Sequence, residues 1–194
     1  MNNRYLSPLA VVVALGMGGL GIGTAASASP YTSIDPQASS VSFGYSQMNV
    51  KMDGSFSELR APEFVFDPAR PEDAKVKLEL VLASIDAGYE EANSELQKEE
   101  WLALSRHPVA TFVSSNVEAL GDDRYQVTGE LSIKGNTKEV NAPFEFSESG
   151  DTASFEGSFT LERADFGIGE RQWKDFSIVA NEIEVHFDVV AKRP

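Results

Sequence analysis

The sequence predicts an all-β protein, a single antiparallel β-barrel of about eight strands with one short helix. Three observations carry that prediction. Apolar and polar residues alternate with a period of two over much of the chain, the pattern of strands with one dry face. Links of a few residues rich in Gly, Asn and Asp separate the alternating runs, so successive strands are hairpin partners. One stretch abandons the alternation for Glu, Leu, Gln and Lys, which favour a helix.

Residues 1–28 stand apart from the rest. Arg4 precedes an apolar, Gly-interrupted run from Leu9 to Ile22, and Ala26-Ser27-Ala28 supplies the small-x-small pattern that signal peptidase reads. The run of about 14 residues falls short of the roughly 20 that span a bilayer. It is therefore expected to be a cleaved signal and not a membrane anchor. The remaining 29–194 form one domain, expected in the periplasm or outside the cell. The chain has no cysteine, so an exported fold has no disulfides and must be held by packing and a closed hydrogen-bond ladder.

Along 29–194, strands are expected around Ser40–Ser46 and Gly54–Phe66, followed by a loop from Asp67 to Asp73 with two prolines. Val76, Leu78, Leu80 and Leu82 then alternate with Lys75, Lys77 and Glu79. From Ala92 to about Leu104 the spacing predicts a helix of two to three turns, with Ser94 and Gln97 as a capping box and Pro108 beyond its end. A strand around Ala110–Ala119 follows. Further strands carry their dry residues at Tyr125–Ile133, Val140–Phe146, Phe155–Leu161 and Ile183–Val189, with turns at Gly121-Asp122-Asp123, Lys134-Gly135-Asn136 and Ser149-Gly150-Asp151. The segment Asp165–Trp173 has two glycines between large apolar residues. It either plugs one barrel end with Phe166 and Trp173 or forms a lid whose aromatics touch a ligand.

Meandering hairpins close into a barrel, which removes both sheet edges, so a barrel is favoured over a two-sheet sandwich. A barrel of this size is either filled by side chains or holds one small ligand. Gly129, Ala142 and Gly157 beside Phe144, Phe155 and Phe159 suit both, and the pattern leaves both open.

The formal net charge of −14 repels phosphate backbones, which argues against nucleic acid as a partner. Catalytic patterns are lacking. The chain has two histidines; His186 has the polar parity of its strand, and His107 precedes a proline at a helix-to-strand corner. No metal-ligand spacing, Gly-x-Ser-x-Gly or P-loop occurs. Glu90-Glu91 and Glu99-Glu100 are neighbours that point to different helix faces and read as solvated, not as an acid and base pair. Asp165 is expected to cap a turn, and Arg163 and Arg171 to make exposed ion pairs with local acids. The protein is expected to be no enzyme and to carry no cofactor or metal.

Five segments stand out in order along the chain: Tyr31–Pro36; Gly54-Ser55-Phe56 with Phe64–Pro68; Leu96 through Trp101-Leu102 to His107–Phe112; Gly129–Val140; and Arg163–Gly169. Together they resemble the YceI-like family of exported bacterial polyisoprenoid-binding proteins. The resemblance implies a lipocalin-like barrel enclosing a long isoprenoid, such as a quinone tail or polyprenyl chain. It also implies a periplasmic or secreted location. Three positions depart from the family pattern: Glu95 where many members have His, Trp101-Leu102 for Phe-Leu, and His107 for Tyr or Phe. These bear on a ligand's polar head more than on its tail.

Combining inward parity with the resemblance gives the expected lining: Phe43, Tyr45, Phe56, Leu80, Leu82, Trp101, Phe112, Leu131, Ile133, Phe144, Phe146, Phe159, Phe166 and Trp173. The expected partner is an isoprenoid or other long-chain lipid, held for transport, storage or sequestration. Alternatives are a fatty acid or fatty amide as cargo, or a β-domain with a filled core. Dimerisation is left open.

Overall fold

The computed structural model describes residues 29–194; the expected signal at 1–28 lies outside the described residues. In chain order the strands are β1 (Ser33–Ile34), β2 (Ser40–Gln47), β3 (Val50–Phe56), β4 (Leu59–Val65), β5 (Lys75–Val81) and β6 (Ile85–Asp86). After helix α1 (Glu90–Leu96) come β7 (Val109–Gly121), β8 (Arg124–Ile133), β9 (Asn136–Ser149), β10 (Thr152–Glu162) and β11 (Glu182–Lys192). All belong to one curled antiparallel sheet of order β4-β5-β7-β8-β9-β10-β11-β2-β3-β6, with β1 beside β11. The alternating runs became the long strands β5 and β7–β11, as periodicity required.

Two devices join the ends of this strand order. First, β3 continues into β4 across Ser57-Glu58, and β5 into β6 across a 3₁₀ turn at Leu82–Ser84. Val81 N–H donates to Glu58 O (3.0 Å) and Ser57 N–H to Ser84 O (3.3 Å), so the two chains stay paired around the corner. The expected single strand at Gly54–Phe66 is therefore bent in two. Taking β3–β4 and β5–β6 as continuous bent strands recovers the expected eight walls with β2 and β7–β11.

Second, β1 fills the seam at the other end. Ser33 and Ile34 pair with Lys192 and Ala191, while Tyr31 exchanges both backbone hydrogen bonds with Phe66 (2.8 and 2.9 Å). Tyr31 is fully buried, and its hydroxyl donates to Glu148 (2.6 Å). Arg193 lies 4.3 Å over its ring and donates to the same carboxylate. Burial, assisted by the bond to Glu148, pushes the Tyr31 phenol up to about 12. Glu148 is correspondingly held below its ordinary value by the bonds from Tyr31 and Arg193.

The helix differs from expectation in both extent and start. It covers Glu90–Leu96 only, and the residue before it, Tyr89, makes no side-chain cap. Ser94 and Gln97 sit at its C-terminal end, so they form no capping box. The start is set instead by Asn93, whose Oδ1 accepts from Ala87 N–H (2.7 Å) and whose amide donates to Asp86 (3.2 Å). Residues 97–107 continue as successive turns, which the helix-favouring composition did not distinguish from helix.

The interior is built from two apolar clusters. Tyr31, Phe64, Phe66, Tyr125, Phe144, Phe146 and Phe155 seal one end. Their ring centroids lie 5.0–6.3 Å apart, mostly edge to face, an arrangement favoured by the ring quadrupoles. Leu82, Leu102, Ala110, Leu131, Ile133 and Phe166 form the second cluster towards the other end.

Candidate functional site

The side chains do not meet in the middle. A cavity of about 520 Å³ runs through the barrel, within the roughly 300–1,000 Å³ of small-molecule sites. Every strand from β2 to β5 and from β7 to β11 contributes to its wall, as do α1 and the segment 163–179, because the inward parity of each strand is apolar.

Glycines keep that space open. On β3, β8 and β10 the inward positions Gly54, Gly129 and Gly157 have no side chain, and a phenylalanine from a neighbouring strand lies over each one. A Cβ at Gly54 would stand 2.8 Å from Phe43 Cε1, at Gly129 2.6 Å from Phe112 Cζ, and at Gly157 2.6 Å from Phe187 Cζ. The rings thus lie back against the wall instead of crossing the lumen.

Twelve of the residues expected from sequence face the cavity: Phe43, Tyr45, Phe56, Leu80, Leu82, Trp101, Phe112, Leu131, Ile133, Phe144, Phe159 and Trp173. Phe146 and Phe166 do not. Phe146 is locked in the sealing cluster between Tyr31, Phe66 and Phe155. Phe166, 1 % exposed, packs into the second cluster behind the wall. Strand parity for Phe146 and the apolar loop around Phe166 mark both as inward but cannot separate core from lining.

The cavity is chemically lopsided. At the sealed end its wall is Val41, Phe64, Phe66, Val117, Phe155 and Val189, all apolar. The polar lining (Tyr45, Gln47, Tyr89, Glu91, Glu95 and Arg163) gathers at the opposite end, where the β2–β3 hairpin, α1 and the segment 163–180 meet. Those three elements are tied together: Tyr89 Oη donates to Gln47 Oε1 (3.0 Å), Tyr45 Oη to Ala87 O (3.1 Å), and Gln47 bridges Val179.

Arg163 organises this end. It follows Leu161 on the inward parity of β10 and is 1 % exposed, yet it forms no ion pair among the described residues. Its Nε donates to Ala180 O (3.0 Å), Nη1 to Ile168 O (2.8 Å) and Gly169 O (3.2 Å), and Nη2 to Trp173 O (2.7 Å) and Val179 O (2.8 Å). All five N–H groups of the fork are thereby used on backbone carbonyls. Burial pushes the guanidinium below its ordinary value, and the five carbonyl dipoles compensate the charge. The expected exposed ion pair is thus replaced by a buried clamp that shapes the whole segment. Gly169, at φ +79°, is required there because a Cβ would fall on the guanidinium. Lys134 and Asn136 hold the same segment from the β8–β9 turn, donating to Gly167 O (2.6 Å) and Phe166 O (2.9 Å).

Trp101 and Trp173 pack at 5.3 Å beside this clamp, with Arg163 5.5 Å over Trp101. Neither indole N–H has a hydrogen-bond partner among the described residues. Asp165 caps nothing: the turn Arg163–Phe166 has no side-chain cap, and Asp165 instead meets Lys138 at 3.3 Å on the surface. Arg171 makes the expected exposed pair, with Glu100 (3.4 Å). His186 is exposed beside Glu184 (3.6 Å). His107 packs against the Gly135 turn. Among the described residues no three His, Cys, Asp or Glu converge as a metal site, and no helix is long and apolar enough to cross a membrane.

Gln47, Tyr89, Glu95 and Arg163 were not singled out from sequence as lining. For Arg163 the signal existed, since Phe155, Gly157, Phe159 and Leu161 extrapolate to it as the next inward position. For Gln47 it existed too, as the position after Phe43 and Tyr45 on β2, whereas Tyr89 sits in the bend before α1, where no period applies.

An antiparallel barrel curled around an apolar cavity with one polar end defines a lipocalin-like architecture. Residues 32–191 match the YceI-like domain, and the chain belongs to that family. It is 33 % identical over 188 residues to a UPF0312 protein of Azotobacter vinelandii, covering 93 % of this chain and 95 % of the relative. Among solved structures it is similar to BcnA of Burkholderia cenocepacia, with 36 % identity and a TM-score of 0.79 over 82 % of this chain and 99 % of that one. A polyisoprenoid binding domain from Saccharophagus degradans, implicated in plant cell wall breakdown, shares the fold at 15 % identity. Its TM-score is 0.67, over 85 % of this chain and 99 % of that one.

Proposed function

We propose that the protein is an exported, non-catalytic carrier or store for one elongated, mostly apolar lipid, of which an isoprenoid is the favoured class. The carrying observation is the lopsided cavity: about 520 Å³, apolar at the sealed end and polar only at the opposite end. A chain with a modest head fits this distribution with its tail towards Phe66 and Phe155 and its head near Arg163 and Tyr89. The name of the Saccharophagus degradans domain supports the isoprenoid class. The signal-like residues 1–28 support export.

Energetics favour an occupant. At ~24 cal/mol per Å³, an unfilled apolar void of about 520 Å³ forgoes up to ~12 kcal/mol of packing, comparable to the whole stability of a domain at ~5–15 kcal/mol. Each methylene buried returns up to ~0.8 kcal/mol. The test is native mass spectrometry of protein purified from its own host, followed by lipid extraction, with cell fractionation reporting its compartment. A bound lipid of isoprenoid mass is expected in the periplasmic or secreted fraction. Protein that is always empty, and gains no thermal stability from added prenyl lipids, overturns the proposal.

A further inference from the structure

Six large apolar residues are well exposed among the described residues, and four of them ring the polar end of the cavity: Met48, Val50, Tyr89 and Phe176. Hydrogen bonds bring their three segments together. Met48 N–H donates to Ile178 O (2.8 Å), Tyr89 bonds Gln47, and the Phe176 ring lies 5.1 Å from Arg163. The other two, Val113 and Leu120, stand on β7, with Leu120 at the β7–β8 hairpin beyond the sealed end.

Met48 is the most telling of the four. It is 66 % exposed and occupies a two-residue hairpin turn at φ +48°, followed by Asn49 at φ +65°. Such turns favour Gly and Asn, because a longer side chain is strained at positive φ. Methionine here accepts strain while its side chain stays mostly exposed. Its unbranched side chain suits insertion into a soft, irregular apolar medium.

We infer that this rim is a docking surface for an uncharged, zwitterionic lipid bilayer, through which cargo passes directly between membrane and cavity. The inference rests on the lipid-carrying function above: a water-insoluble chain resides in bilayers, and among the described residues an exposed apolar ring surrounds the polar end of the space that would receive it. Patches of this kind mark membrane or partner contacts. Charge selects the kind of membrane. Lys51, Arg171 and Lys174 near the rim are outnumbered by Asp53, Asp86, Glu90, Glu91 and Asp175, and the whole chain carries −14, so an anionic surface repels it.

The test uses residues 29–194, which carry every strand from β1 to β11, and flotation with phosphatidylcholine vesicles. The wild type is expected to float, and Met48→Gly combined with Phe176→Ser to lower the vesicle-bound fraction at least tenfold. Leu120→Ser at the far end leaves flotation unchanged. Met48→Gly alone relieves the backbone strain, so it is expected to raise the melting temperature while weakening flotation, which separates docking from folding. Uptake of a short-chain, water-soluble prenyl alcohol is expected to be equal in wild type and double variant. Equal flotation of wild type and double variant, flotation only with anionic phosphatidylglycerol vesicles, or no flotation of the wild type overturns the docking surface. Absence of prenyl alcohol uptake by the wild type counts against the carrier function itself, and flotation then reads the rim separately.

Discussion

Replacing Arg163 with lysine keeps the charge and most of the length but cuts the donors from five to three. At least two of the five carbonyls at Ile168, Gly169, Trp173, Val179 and Ala180 then lose their partner in a buried setting. Each such loss costs ~1–3 kcal/mol, so Arg163→Lys is expected to destabilise by roughly 2–6 kcal/mol, a large part of the ~5–15 kcal/mol available to a domain. With a urea m-value near ~2 kcal/mol/M, the unfolding midpoint falls by about 1–3 M. Tryptophan fluorescence follows this directly, since Trp101 and Trp173 both pack at the clamp. Arg163→Met, which leaves all five carbonyls without the fork, is expected to release residues 164–180 into fast hydrogen exchange before the barrel unfolds. A midpoint within about 0.3 M of wild type for Arg163→Lys refutes the reasoning, because it means that cavity water serves those carbonyls as well as the guanidinium does.

The Tyr31 phenol, raised from 10.0 to about 12, makes the folded state prefer the neutral form. This contribution is fully present below pH 10 and is lost as pH rises to 12. Stability of up to ~3 kcal/mol should therefore vanish over that window, and urea titrations of Tyr31→Phe should lack that limb. Glu148, held low by Tyr31 and Arg193, contributes in the opposite sense, its share present above its ordinary 4.5 and lost on acidification below it. Gly157→Ala should meet both the Pro143 carbonyl and the Phe187 ring, shifting strand and ring and lowering stability by at least ~1–3 kcal/mol; native mass spectrometry should then show slimmer or less cargo. Gly169→Ala meets both a positive φ and the guanidinium, and calorimetry should show a lower melting temperature than for Gly150→Ala, where a Cβ at similarly positive φ meets nothing. Delipidation should lower the melting temperature, and re-addition of a prenyl lipid should restore it in proportion to the logarithm of its concentration.

The sheet was legible because each long strand buries one face, which writes a period of two into residues such as Val76–Leu82 and Ile183–Val189. The corner at Ser57-Glu58 was not, since both halves of 54–66 carry strand-forming residues and the bend is imposed by the paired turn at Leu82–Ser84. Ser94 and Gln97 had the right spacing for a cap, but the Asn93 contacts to Ala87 and Asp86 set the helix start at Glu90, where no such motif stands. The lining was legible up to the distinction between facing a void and facing a neighbour, which Phe146 and Phe166 show to depend on what the other strands supply. Arg163 was misread because its partners are carbonyls, which every residue carries and no pattern reveals.

The three wall positions without side chains tie the bore to the wall itself. Room for a guest depends on how deeply Phe43, Phe112 and Phe187 recline, and the glycine under each ring also faces a backbone oxygen, of Asp86, Val113 and Pro143 respectively. A single methyl added there would press on the ring and on that oxygen together, so a narrower bore comes with a shifted strand. The gauge of this barrel is set where three carbons are missing.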